Sequence, residues 1–269
     1  MQRTTDVLFI SHGGGPMPLL GDPGHREMVD RLTEIAGKLR KPSAILVISA
    51  HWEESMPTIT AGANPSLIYD YYGFPPEAYA IEYPCPGEPA LAGQIHGALE
   101  KAGIPARLDE QRGFDHGLFV PLKLMYPQAD IPCVQLSLVN SLDAEAHLAI
   151  GRALQALDYD NLLVIGSGFS FHNMRAFFAS ATPEIQARNR AFEAWLEDTC
   201  TNAAISEIER TDLLKHWDQA PYARFCHPRE EHLLPLHVCY GLAGQAARTR
   251  FEATILGKQS GMFYWRVGR

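Results

Sequence analysis

The chain has 269 residues, 46% of them hydrophobic and 20% charged, an ordinary globular composition and enough length to bury a core without disulfide or metal staples. A net charge of −8, with Lys and Arg scattered and no basic tract, argues against a polyanionic partner such as a nucleic acid. The longest apolar runs fall far short of a membrane span, and no signal-peptide h-region follows the charged start, so the cytoplasm is the expected compartment.

Taken in chain order, short apolar runs rich in β-branched residues predict buried strands at Val7–Ser11, Ala44–Ala50, Cys133–Leu138 and Leu162–Gly166. Ala253–Leu256 and Met262–Val267 read as later strands at a sheet edge. Amphipathic patterns between them predict helices over His25–Arg40, Glu88–Ala102, Asp143–Leu157 and Pro183–Thr199, with Pro89 and Asp143 as suitable helix starts. This alternation predicts an α/β fold: one domain over residues 1–269, with a mostly parallel or mixed central sheet and helices on both faces. Residues 62–87 and 212–231 break the pattern. Both are rich in Pro and aromatic residues and read as long ordered loops, which either serve function or cover the core. The five cysteines (Cys85, Cys133, Cys200, Cys226, Cys239) have no CxxC spacing and fit a reducing compartment.

The placement of the eleven histidines says more than their number. Three follow one layout, an apolar strand and then small residues: Ser11-His12-Gly13-Gly14-Gly15-Pro16, Ser49-Ala50-His51-Trp52, and Gly166-Ser167-Gly168 leading to His172-Asn173. A fourth, in Gly113-Phe114-Asp115-His116-Gly117, precedes a predicted helix. In an open α/β sheet, ligands bind in the crevice beyond the carboxyl ends of the strands, so histidines at several such ends converge there. Neutral imidazole suits zinc and Fe(II), and small neighbours let a metal and its substrate approach. A further cluster, Cys226 to His237, predicts a helix opening at Pro228, with Glu230 and Glu231 in its first turn and His232 pointing inward from its second. His227, just before it, could reach the pocket from the loop, whereas His237 reads as packing and His25, His96, His147 and His216 as surface or structural residues. The Gly13–Gly15 turn lacks phosphate-loop spacing, and Gly166-Ser167-Gly168 is not a GxSxG nucleophile elbow.

These motifs, with Glu231-His232-Leu233-Leu234-Pro235-Leu236, occur in the order and register of the DODA-type extradiol aromatic ring-opening dioxygenases of the class III (LigB-type) superfamily, which the chain resembles over almost its whole length. The resemblance implies non-haem Fe(II) chemistry, with Zn(II) another plausible occupant. His12, His51 and His232 would be metal ligands, His172 a fourth ligand or the acid/base, and His116 a contact to substrate or oxygen. Where the wider superfamily uses two histidines and a carboxylate, this chain has His232 beside Glu231, so the donor set suits zinc as well as iron.

The implied reaction inserts O2 into a catechol ring, from DOPA, caffeate, protocatechuate or another catechol, to give a muconic semialdehyde. His172 and His116 are the catalytic candidates, since imidazole both takes and gives protons near neutral pH. Asp115 either orients His116 or serves the turn. His227, Tyr72, Phe74, Trp52 and Tyr222 are candidates for the substrate pocket. Two other readings stand beside this one: a zinc-dependent hydrolase, and a non-enzymatic binding protein on the same scaffold. A small-molecule catechol and O2 are the expected partners, with no nucleic acid and no membrane, and a homo-oligomer is compatible with the sequence.

Overall fold

The computed structural model describes residues 4–179 and 182–268. The predicted runs and two short strands not expected from the sequence, the third and fourth in chain order, form one sheet: β1 (Thr4–Ser11), β2 (Ala44–Glu54), β3 (Thr58–Thr60), β4 (Arg107–Asp109), β5 (Cys133–Val139), β6 (Leu162–Gly168), β7 (Thr249–Ile255) and β8 (Lys258–Gly268). Its order is β4-β3-β5-β2-β6-β1-β8-β7. The inner four strands, β5-β2-β6-β1, are parallel. The late runs form strands at one edge of the sheet, as the sequence predicts, and the structure adds that they pair as an antiparallel hairpin, β7–β8, against β1.

Helices α1 (Arg26–Lys38), α2 (Pro89–Lys101), α3 (His116–Met125), α4 (Ala144–Leu154), α5 (Met174–Phe178), α6 (Pro183–Thr201), α7 (Glu207–Lys215), α8 (Ala223–Cys226) and α9 (Leu234–Ala243) complete the chain. The period-2 alternation of the strands divides the core in two. Val7, Phe9, Leu46 and Val164 face one layer with α2, α4, α6 and α9, and Leu8, Ile10, Val47 and Ile165 face the other with α1 and α3. Both faces are thus covered, which is why the central runs are apolar throughout.

Because the inner strands are parallel, their carboxyl ends share one edge of the sheet. Two local features shape that edge. Between Ile48 and Glu53, β2 advances five residues while β5 advances only from Leu136 to Leu138, so the ladder breaks and His51 lies in the irregularity, inside a longer strand than the sequence predicts. At the end of β6, a Cβ on Gly168 would lie 2.1 Å from the His232 carbonyl oxygen, so only glycine lets that segment pass so closely.

The helix expected from Pro228 does not start there. Residues 228–233 form turns, Leu233 and Leu234 N–H both donate to the Glu230 carbonyl, and α9 begins only at Leu234, with Pro235 in its first turn. Arg229 is engaged by Glu53 and Glu231 by His172, both distant in sequence, which competes with a helical first turn. His232 is therefore held by a turn and not by a second helical turn. No helix among the described residues is long and apolar enough to cross a membrane.

Candidate active site

Five imidazoles meet at the carboxyl edge of the sheet. His12 follows β1, and its N–H is held by the Gly168 carbonyl at 3.1 Å. His51 comes from the β2 irregularity, and His116 opens α3 behind the N-cap Asp115. His232 is anchored through its own carbonyl, which accepts from Phe169 N–H at 2.8 Å. His172 lies beyond β6 and stacks on His232, with ring centroids 3.4 Å apart and planes at 15°. Ring centroids of His12, His51 and His232 lie 4.7, 4.9 and 5.2 Å apart, and His116 is 3.9 Å from His51. The tightest donor groups are His12–His51–His116 and His172–Glu231–His232, each with its atoms within 4.8 Å of one another.

The partners of these rings fix their tautomers. Ser167 Oγ gives its one proton to the Gly117 carbonyl, so it must accept from His12 Nδ1, 3.0 Å away. Carboxylates only accept, so Asp70 Oδ1 takes the His116 Nδ1 proton at 2.8 Å. Glu231 Oε1 does the same for His232 Nδ1 at 2.9 Å, with His172 Nδ1 at 3.3 Å. In each of the four, Nε2 keeps its lone pair. Buried acceptors behind Nδ1 are how proteins orient imidazole for a metal. His12 and His51 Nε2 atoms stand 2.9 Å apart. Two nitrogens each about 2.1 Å from one ion at a right angle would be about 3.0 Å apart, so this pair matches neighbouring ligands of a single divalent metal.

Burial sets the charge state of the cluster. It lowers the pKa of His12 and His51 well below the ordinary value, helped by repulsion from the neighbouring imidazoles. His232 is pushed down to about 3, by burial first and then by His172, against the pull of Glu231. These rings are neutral at pH 7, the form that binds metal. Burial alone would raise Glu231, but the hydrogen bonds it accepts from His172 and His232 win and hold it ionised; Asp70 is lowered in the same way, chiefly through the hydrogen bond from His116. Asp115, by contrast, is fully buried and raised by that burial.

Several sequence-based expectations are narrowed or corrected. Of the two roles open to Asp115, serving the turn is the one seen: its carboxylate caps α3 through Gly117 N–H and accepts from Ser49 Oγ at 2.8 Å, and also from Gln135 and Arg112. Asp70, from the aromatic loop, is the partner of His116. His227 does not reach the pocket; it is fully buried, bonded through Nε2 to the Ser170 carbonyl at 2.7 Å, and packed on Phe192 and Trp217. Trp52 also lies outside the pocket, buried between Glu54 and the Arg112 guanidinium 4.3 Å above its ring. Tyr222 sits elsewhere, against Arg188. Tyr72 and Phe74 do line the cavity, with Met174, Phe177, Phe178 and Leu256. His25 is structural, one of the two roles expected of it: Asp22 holds its Nδ1 at 2.6 Å and its Nε2 accepts from Gly14 N–H, which fixes the glycine turn after His12.

The cavity over the imidazoles measures about 450 Å³, room for a substituted aromatic ring. With this geometry in place, comparison with known proteins is decisive: residues 6–265 match the family model of the catalytic LigB subunit of aromatic ring-opening dioxygenase. The chain belongs to the LigB family. Among its curated relatives, Dioxygenase tasH of Hapsidospora irregularis is 42% identical over 96% of this chain and 85% of its own length. The 4,5-DOPA dioxygenase extradiol of Beta vulgaris is 39% identical over 90% of this chain and 88% of its own. A crystal structure of an uncharacterized protein from Escherichia coli K12 superposes with a TM-score of 0.76 at 31% identity, covering 98% and 99% of the two chains. The LigB fold accounts for the mixed sheet, and the family relationship supports aromatic ring-opening dioxygenase activity.

Proposed function

We propose that this LigB-family chain is a metal-dependent extradiol dioxygenase that inserts O2 into a catechol ring beside the diol, giving a muconic semialdehyde. The observation that carries the reading is the set of imidazoles whose Nδ1 protons are held from behind, so that their Nε2 lone pairs are free at one cavity. His12, His51 and His232 would hold the ion, Fe(II) in the active enzyme with Zn(II) a possible occupant of the same donors, and His172 is available as a fourth donor. When bound, such an ion supplies a meeting point at which electron density passes from the diol oxygens to O2.

The remaining chemistry belongs to the chain. His172 Nε2 has a lone pair to take a hydroxyl proton from the ring, and Glu231 behind Nδ1 stabilises the imidazolium that results. His116, backed in the same way by Asp70, contacts the oxygen side and can hold or return a proton there. Phe74 and Phe169 offer apolar surface to the ring and help exclude water. Five free, buried cysteines support a reducing, cytoplasmic setting.

The test is anaerobic Fe(II) loading followed by O2 uptake on addition of catechols, with the product spectrum recorded. Stoichiometric uptake with a semialdehyde chromophore is the expected result. Zinc-dependent hydrolysis of esters or amides without O2 uptake would favour the hydrolase reading, and a chain that binds no metal would favour a binding protein.

A further inference from the structure

The cavity has a polar floor and an apolar mouth. The floor is the imidazole cluster with Asp70. The mouth is built by Tyr72, Phe74, Met174, Phe177, Phe178 and Leu256, and among the described residues no Lys or Arg lines the cavity. Three of these rim residues are open to solvent: Tyr72 is 92% exposed, Phe178 79% and Met174 53%. Leaving that much aromatic and thioether surface in water is unfavourable, and a cluster of it at the entrance to a site is the mark of a ligand surface. At about 450 Å³ the cavity also exceeds what an unsubstituted ring would fill.

The charges point the same way. The ionised side chains nearest the floor, Asp70 and Glu231, are both negative and both already committed to imidazoles. A carboxylate on an arm lying at the mouth would lose water and meet no basic side chain among the described mouth residues. The neighbouring hollow, which shares His172 and Met174, does contain Arg229 and Arg175. Arg229 is spent on a two-pronged pair with Glu53 at 2.6 and 2.7 Å, and Arg175 lies in that hollow and not among the mouth residues.

We propose that the mouth is a subsite for an uncharged apolar arm, so that the substrate is a catechol bearing a neutral alkyl or aryl substituent and not one bearing a carboxylate. This inference rests on the ring-opening reading above and adds the class of substituent. Met174 and Phe178 would determine specificity: they lie on the one-turn helix α5, next to the His172 segment, and so bring the arm subsite and the proton-handling imidazole onto one stretch of chain.

The experiment titrates a series of 4-alkylcatechols, from catechol to 4-butylcatechol, into the full chain under nitrogen by calorimetry. It then measures kcat/KM for the same series with the Fe(II)-loaded protein in air. Each buried methylene is worth about 0.8 kcal/mol, so affinity and kcat/KM should climb about fourfold per carbon. 3,4-Dihydroxyphenylpropionate, of similar arm length but charged, should fall at least about tenfold below 4-butylcatechol. In Met174→Ala and Phe178→Ala the ratio of 4-butylcatechol to catechol should drop about threefold or more. A flat series, or a preference for the carboxylated arm, overturns the subsite. The two readings fail separately. Affinities that climb with no ring opening would leave the subsite and remove the dioxygenase, whereas catechols opened with indifference to the arm would do the reverse.

Discussion

Replacing Gly168 with Ala tests how the end of β6 builds the site. The added methyl would lie 2.1 Å from the His232 carbonyl oxygen, 3.1 Å from its carbon and 3.2 Å from the Phe9 ring. Ordinary contact begins at 3.4 Å, so the His232 backbone must retreat by about 1.3 Å. That retreat breaks the 2.8 Å bond from Phe169 N–H, a loss of about 0.5–1.5 kcal/mol, on top of about 1–3 kcal/mol for overpacking. The sum is about 1.5–4.5 kcal/mol, read as a lower urea midpoint at unchanged slope. Because the retreat also carries His232 away from His12 and His51, turnover should fall about a hundredfold, the scale of a 1 Å misplacement. Gly93→Ala, on an exposed helical position with nothing within 4 Å, is the control and should stabilise by about 0.5–1 kcal/mol without touching activity. A Gly168→Ala protein with wild-type midpoint and wild-type turnover would refute the idea that this close approach positions His232.

Four further outcomes are expected. Glu231→Gln removes the negative charge behind His232 and His172, and metal affinity measured by calorimetry should weaken about 10–100-fold; unchanged affinity would deny the carboxylate charge its role. His172→Gln should abolish ring opening while metal content stays near wild type, and wild-type turnover in that variant would exclude it as the acid/base. The metal-free protein should lose stability as pH falls below about 6.5, because the unfolded chain takes up protons there while His12, His51 and His232, lowered by burial, stay neutral; a urea midpoint independent of pH between 7 and 5 would contradict those shifts. Glu193 is buried and raised to about 7 by that burial, so its protonated form stabilises the fold below about pH 4.5 and that contribution fades as pH rises through 7. Glu193→Gln should therefore gain up to about 3 kcal/mol over wild type at pH 8 and nearly nothing at pH 4.5, and an equal effect at both would place the charge elsewhere.

Much of the site is legible in the sequence because strand ends are. A buried parallel strand must be apolar along its length, so the first polar residues after Ile10 and within Ser49–Trp52 announce the edge where His12 and His51 sit. His116 and His172 follow from similar punctuation. What the sequence hides are contacts between distant segments. Asp70 stands in a Tyr-rich loop 46 residues from His116, and nothing local distinguishes it from a turn aspartate. Pro228 and two glutamates look like a helix start, yet Glu231 is drawn to His232 and His172, and the helix waits for Pro235. Trp52 directly follows His51 and His227 precedes the His232 turn, but their own side chains turn onto Arg112 and into the core. The 62–87 loop serves both readings open to it: Tyr83 ties it to the core through the Tyr126 carbonyl and Tyr69 braces it internally through the Ile81 carbonyl, while Asp70, Tyr72 and Phe74 face the cavity.

X-ray absorption on the Fe(II)-loaded chain addresses the metal centre most directly. One ion per chain, with at least three imidazole nitrogens about 2.1 Å away and that signal lost in His12→Ala, His51→Ala and His232→Ala, is the expected result. An ion surrounded only by oxygen ligands, or one that persists unchanged in all three variants, would mean that these imidazoles do not hold it.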